Sequence, residues 1–378
     1  MSYAAQMAKS VTRYDPADRA ALRDFQVEYF GPHSRQCDDR YFEWLFQKNP
    51  YQDPGRPTLW LCKRDGIVLG QQASIPCLLK VGDVELTAGW GIDLMVRSEW
   101  RLKGVAPALS TAYEESAEVL LGAAMSDAAH RAFLRRGWTD RGLLPYLVRP
   151  LDPEACAQTS HAPRILTRLT PEFAARGSAS AAGAILGGLT GTSLEPITTF
   201  DERVDAVWAA ASRDYRALVK RDFQFLHWRF DQIPGETTYQ RHYLKRRGQV
   251  VGYAVTRLEQ WRGSTVARLV DYLVPRASLR VLFALVIREM NSQGVAVVFV
   301  EQLNQGAERV LRSLGCFRAR AATRFIFNVR GSASPVRNVL NNTESWFINL
   351  ADSDLDHEAS YRPDLPICES QVPGAISH

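Results

Sequence analysis

The stretch from Gly91 to Ala106 holds the residues whose order most directly suggests chemistry. An apolar run ends at Val96, and a loop then carries Arg101-Leu102-Lys103-Gly104-Val105-Ala106 before a helix that begins around Pro107. Gly104 and Ala106 have minimal side chains, so a ligand can approach the backbone closely. The free N–H groups of a helix start, together with the helix dipole, attract an anion such as phosphate. Arg101 and Lys103 add positive charge at the rim, and Pro107 fixes the helix start without losing a needed donor. Other chemical groupings are weaker. Cys62 and Cys77 lie in strand patterns with no histidine motif to activate them, and read as small buried hydrophobes. Asp352-x-Asp354-x-Asp356 mimics the start of a calcium loop, but His357 stands where glycine is required. That grouping reads as a solvated acidic turn. Trp44 and Trp228 read as core, and His130 as a surface helix histidine.

An internal repeat supplies the elements that must position this loop. Residues 11–25 match 197–211, each a short β-rich run followed by an aspartate (Asp15, Asp201) that can cap a helix. Residues 41–50 match 225–234 around Trp44 and Trp228, and 64–70 match 246–252, a tight turn feeding a strand that reaches Gly70 or Gly252. Residues 91–96 match 269–274, placing Asp271 opposite Asp93, and 134–138 match 311–317. The offset drifts in order from 186 at Asp15/Asp201 to 178 at Gly137/Gly315, as duplication with small indels requires. Residues 60–64, 67–75, 76–81 and 85–96 read as consecutive strands broken by turns, 105–121 and 127–136 as helices, and 143–149 as a closing strand. The expected fold class is α/β (α+β), with two domains that are each a mixed, mostly antiparallel sheet flanked by helices. The expected boundaries are 1–150, a small-residue connector over 151–196, a second copy over 197–330, and a tail over 331–378. The second copy reads PRASLRVLFALVIREM after Val274, with no glycine and no phosphate-cradling loop.

Arg101-x-x-Gly104-x-Ala106 resembles the acetyl-CoA pyrophosphate loop of the GCN5-related N-acetyltransferase (GNAT) superfamily, whose pattern is Gln/Arg-x-x-Gly-x-Gly/Ala. Ser98-Glu99-Trp100 is similar to the Pro-Glu-Tyr that often precedes it. The resemblance covers about residues 11–150, and less sharply 197–330, so the chain looks like a bacterial tandem GNAT protein with one cofactor site. It implies that the backbone of Leu94, Met95 and Val96 pairs with a pantetheine arm. It implies that Arg101, Leu102, Lys103, Gly104, Val105 and Ala106 hold the pyrophosphate, and that Ser126 or Asp127 takes the part of a family asparagine. Phe133 falls where many members carry a tyrosine general acid, which puts side-chain acid catalysis in doubt. Asp93 is the candidate general base for an attacking amine. A structural Asp93 stays open beside that reading, and its repetition as Asp271 favours it. The implied activity is acyl transfer from acetyl-CoA or another acyl-CoA to a small-molecule amine, with an amino sugar of polysaccharide or cell-envelope assembly as a family-level expectation. Fem-type aminoacyl transfer and a non-catalytic acyl-CoA-binding module are the alternatives.

Composition bounds these readings. The 378 residues are 46% hydrophobic and 23% charged, which excludes a mostly disordered chain. Seven lysines and 39 arginines against 41 acids leave a net charge of +5, spread without a basic cluster, so no nucleic-acid partner is expected. Six scattered cysteines lack metal-type spacing; no metal is expected, and reduced thiols suit a cytoplasmic protein. No apolar run suggests a membrane span or a secretory signal.

Overall fold

The computed structural model describes residues 9–53, 55–152, 187–235, 239–261, 263–331 and 334–356. Its first half runs β1 (Val11–Arg13), α1 (Arg19–Phe30), α2 (Asp39–Phe46), β2 (Leu59–Arg64), β3 (Ile67–Val81), β4 (Val84–Val96), α3 (Val105–Glu114), β5 (Val119–Ala123), α4 (Asp127–Arg135), β6 (Thr139–Leu143) and β7 (Tyr146–Pro150). The second half repeats the order: β8 (Thr192–Ile197), α5 (Arg203–Ala211), β9 (Ala217–Val219), α6 (Phe223–Leu226), β10 (Tyr239–Arg246), β11 (Gln249–Trp261), β12 (Ser264–Leu273), α7 (Leu279–Ser292), β13 (Val297–Leu303), α8 (Gln305–Ser313), β14 (Phe317–Arg318) and β15 (Arg324–Val329). Then come α9 (Ser334–Asn341) and β16 (Trp346–Asn349).

Local chemistry accounts for the matching starts and turns. The Asp15 carboxylate accepts the N–H of Ala17 at 2.9 Å, and Asp201 accepts that of Arg203 at 3.0 Å. Both hairpins turn through paired left-handed residues, Asp65-Gly66 and Arg247-Gly248, the geometry that matches strand twist. Three boundaries differ from the sequence reading. The strands expected at 67–75 and 76–81 are one fifteen-residue strand that carries Pro76 within it. The helix expected to reach Leu121 stops at Glu114, and the apolar run beyond it is β5. The single closing strand is two, β6 and β7.

These last two strands separate. β6 stays with the first copy, while β7 pairs antiparallel with β13 (Val297↔Pro150 to Glu301↔Tyr146) and with β14 of the second. In return β15 crosses back and lies between β5 and β6. The two copies therefore exchange one strand each. A second join runs from β3 through β9 and β16 to β13, making one sixteen-stranded sheet.

The core is continuous across the copies, and its centre is a matched pair. The Trp44 and Trp228 rings stack 4.8 Å apart at 10°. Each indole N–H donates to the other's backbone carbonyl, at 2.8 and 2.9 Å. That reciprocity is the signature of a local two-fold axis relating the copies. Most of the expected connector lies outside the described residues, though its end already forms β8. The tail from Ser345 through Asp356 is packed inside the protein, whereas most of the residues described before it are exposed. No helix among the described residues is long and apolar enough to cross a membrane.

Candidate functional site

β4 and β5 run parallel from Ala88↔Val119 to Gly91↔Gly122 and then part. Beyond that point Ile92–Val96 keeps β3 on one side and, among the described residues, has no strand on the other. The Tyr113 hydroxyl sits in the fork, 2.8 Å from the Gly89 carbonyl and 2.9 Å from that of Leu121. It ties the strands together just below the split. Above the split the chain forms a single 3-10 turn, Ser98–Trp100, and passes through left-handed Leu102 and Gly104 into α3. Gly104 is the N-cap at φ 80°, a left-handed geometry that a residue with a Cβ would adopt only under strain. The N–H groups of Val105 and Ala106 in the first turn have no intrahelical partner. Arg101, Leu102 and Lys103 are exposed at the rim, with the Lys103 ammonium 5.3 Å from the Trp100 ring centre.

A close approach seats the helix. A Cβ at Gly70 would lie 2.7 Å from the Met95 carbonyl oxygen and 3.0 Å from Val105, so α3 rests directly on bare backbone. The Tyr29 hydroxyl donates to the Val96 carbonyl at 2.7 Å, fixing the end of β4.

Asp93 occupies a bulge. Gln71 pairs with Met95 and Ala73 with Ile92, so Asp93 and Leu94 together face Gln72. Asp93 is held at φ 52°, and the Gln72 side-chain amide closes the bulge with a 2.9 Å bond to the Ile92 carbonyl. Desolvation, reinforced by the Asp354 charge, pushes the Asp93 carboxyl up to about 6, against opposing contributions from Arg35 and a hydrogen bond with Gln36. Arg35 in turn holds Asp354 at 2.6 Å and lies over the Tyr41 ring. Two carboxylates, one guanidinium and a phenol therefore gather around the Asp93 bulge.

The remaining expected residues are placed apart from these. Ser126 caps α4, accepting the Ala129 N–H at 3.3 Å, and Asp127 is exposed in its first turn. Phe133 packs on Trp138 at 4.7 Å within the cluster beneath α3, and carries no hydroxyl. His130 is buried, not on the surface, and pairs with Asp140 at 2.8 Å. Tyr29, Arg35, Tyr41 and Asp354 escaped the sequence reading. Tyr29 left a signal, since Tyr215 follows it by 186 residues and donates to the Val274 carbonyl in the same way at 2.8 Å.

In the second copy the matching positions are filled by the protein itself. β12 and β13 stop pairing at Leu269↔Val300, and β16 enters beside β13 at Leu303↔Ile348 and Gln302↔Asn349. Phe347 lodges between Tyr215 and Tyr272. Asp271 is fully buried and bound by Arg221, Tyr253 and Asn349. The backbone N–H of Arg276, before α7, already binds the Asp214 carboxylate at 2.7 Å. The acidic repeat of the tail is no solvated turn: Asp352 pairs with Arg221, Asp354 with Arg35 and Asp356 with Arg229, all buried. Among the described residues no three histidine, cysteine, aspartate or glutamate side chains cluster as a metal site would require.

Similarity to known proteins appears in the fold. No protein-family model and no curated relative matches the sequence. A GCN5-related N-acetyltransferase from Anabaena variabilis superposes with TM-score 0.58 at 13% identity, over 84% of this chain and 72% of that one. A probable N-acyltransferase from Enterococcus faecalis gives 0.57 at 11%, over 84% and 72%. Saccharomyces cerevisiae N-myristoyltransferase, solved with myristoyl-CoA, gives 0.53 at 11%, over 86% and 84%. The chain has the GNAT fold that these acyltransferases share.

Proposed function

We propose that this chain is an acyl-CoA-dependent N-acyltransferase, with acetyl-CoA as donor and the first copy as its binding domain. The observation that carries the reading is the asymmetry between the copies. The first has an open fork leading to a helix capped by glycine, and the second has the same fork closed by β16. The free edge of Leu94–Val96 suits a pantetheine amide chain as an added strand. The N–H groups and basic rim of Arg101–Ala106 suit a pyrophosphate.

In the proposed reaction the acceptor nitrogen attacks the thioester carbonyl, the new C–N bond forms, and the C–S bond breaks to release thiolate. A backbone N–H near Met95 receives the charge that develops on the carbonyl oxygen. Asp93 takes the proton lost by the amine, directly or through water; a carboxyl near 6 is ionised at neutral pH yet more basic than an ordinary aspartate. The acceptor is proposed to be a small amine, an amino sugar being the class the sequence resemblance suggests, and the compartment the cytoplasm. The division into copies at 1–150 and 197–330, joined by the connector, belongs to the same proposal. Phe133 offers no acid for the leaving thiolate, which supports a non-catalytic acyl-CoA-binding module as the second reading.

Thermal unfolding separates these outcomes from failure. Acetyl-CoA should raise the melting temperature, and Gly104→Glu should abolish the rise by placing charge and bulk in the cradle. An unshifted parent protein would overturn the cofactor assignment. A shift without turnover over a panel of amines would select the binding module.

A further inference from the structure

The geometry points to a second ligand site, for a phosphorylated small molecule, in a pocket where the exchanged strands meet. The cavity holds about 620 Å³, within the range of small-molecule sites. Four arginines line it: Arg141 on β6, Arg309 and Arg312 on α8, and Arg318 on β14. Glu308 is the one acid among the lining residues, and its carboxylate is engaged by Arg318.

The four guanidinium groups are not equivalent. Arg318 is neutralised by Glu308, and Arg141 is steadied by the Asn341 carbonyl at 2.6 Å and by the Phe327 ring. Arg309 and Arg312 are exposed and have no ion-pair partner among the described residues. They are three residues apart, so both project from one face of α8 into the same cavity. Elsewhere in this protein arginines are regularly matched with acids, including the buried Arg221, Arg229 and Arg35. Two unmatched guanidiniums beside a formed cavity therefore leave a local surplus of charge and of bidentate donors. Guanidinium forks fit phosphate oxygens, and a dianion satisfies two of them at once.

The rest of the wall says what the phosphate should be attached to. Leu143, Pro145 and Ala319 provide an apolar side, and Tyr146, itself stacked on Phe299 at 5.8 Å, provides an aromatic one. An inorganic ion alone would leave these surfaces unused. The fitting ligand carries a phosphate monoester at one end and a compact ring or hydrocarbon body at the other. The site shares no residue with the Arg101–Ala106 loop, so it stands whether or not that loop takes acyl-CoA.

Calorimetric titration with phenyl phosphate tests the assignment, with phenol and benzoate as controls lacking the phosphate. Phenyl phosphate should bind the parent protein, and Arg309→Ala/Arg312→Ala should weaken it at least tenfold with an unchanged melting temperature. Gly104→Glu should bind phenyl phosphate as the parent does, which separates this pocket from the loop. Failure of the parent to bind, an equal affinity in the double variant, or loss of binding in Gly104→Glu alone would overturn the site. Benzoate binding as tightly as phenyl phosphate would overturn the phosphate assignment.

Discussion

Asp93 and its surroundings decide how much chemistry the first copy can perform. Its counterpart Asp271 is fully engaged by Arg221, Tyr253 and Asn349, whereas Asp93 sits in a bulge with its carboxyl raised. A group raised to about 6 is largely neutral below that pH and becomes a base above it, so turnover should climb with pH through a limb near 6. Asp93→Asn should remove that limb and lower kcat by about 10²–10⁴, with little change in acetyl-CoA affinity. Asp354→Asn removes the like charge beside Asp93 and leaves the Arg35 contribution in place, so the same limb should move to lower pH. A pH–rate profile of the three proteins checks both statements, and an unchanged rate in Asp93→Asn would leave that residue with a structural role. The same raised pKa means that ionising Asp93 costs stability as pH rises from its ordinary value of 3.8 toward 6. Arg35 and Asp354 were illegible in sequence because 319 residues separate the pair. The acids of the tail looked solvated for the same reason, since their arginines lie more than a hundred residues away.

Among the elements, the fork, the loop and α3 were the most legible. A strand pattern, a glycine with left-handed geometry and a helix start lie within sixteen consecutive residues, and local spacing encodes all three. The limit of α3 was less legible because no glycine or proline stands between Glu114 and β5, and a short apolar run such as β5 is assigned by periodicity equally well to helix or strand. Gly70 tests the seating of the helix. Gly70→Ala would press a methyl against the Met95 carbonyl and Val105, so about 1–3 kcal/mol of stability should be lost in denaturant unfolding. Because the carbonyl belongs to the strand proposed to bind pantetheine, acetyl-CoA affinity should fall as well.

At the scale of the whole molecule, the repeated order of elements was readable from the ordered matches, and the exchange of strands between the two halves was not. β7 and β15 are short strands buried along most of their length, and nothing in such a run says which of two similar sheets will accept it. The same holds for β16, whose short apolar run gives no hint that it closes the second fork. The two halves carry matching forks, and β16 makes them unlike by filling one.

The crossed strands have a consequence for how the protein can be cut. Each copy is completed by a strand that lies within the other's boundary, so the halves are linked by pairing as well as by the chain between them. A protease site placed in the connector between residues 153 and 186 should, once cleaved, leave two fragments that elute together and keep the parent's circular dichroism. Separation of the fragments without denaturant would contradict the exchange. Once the sheet is built, the molecule is held shut like clasped hands.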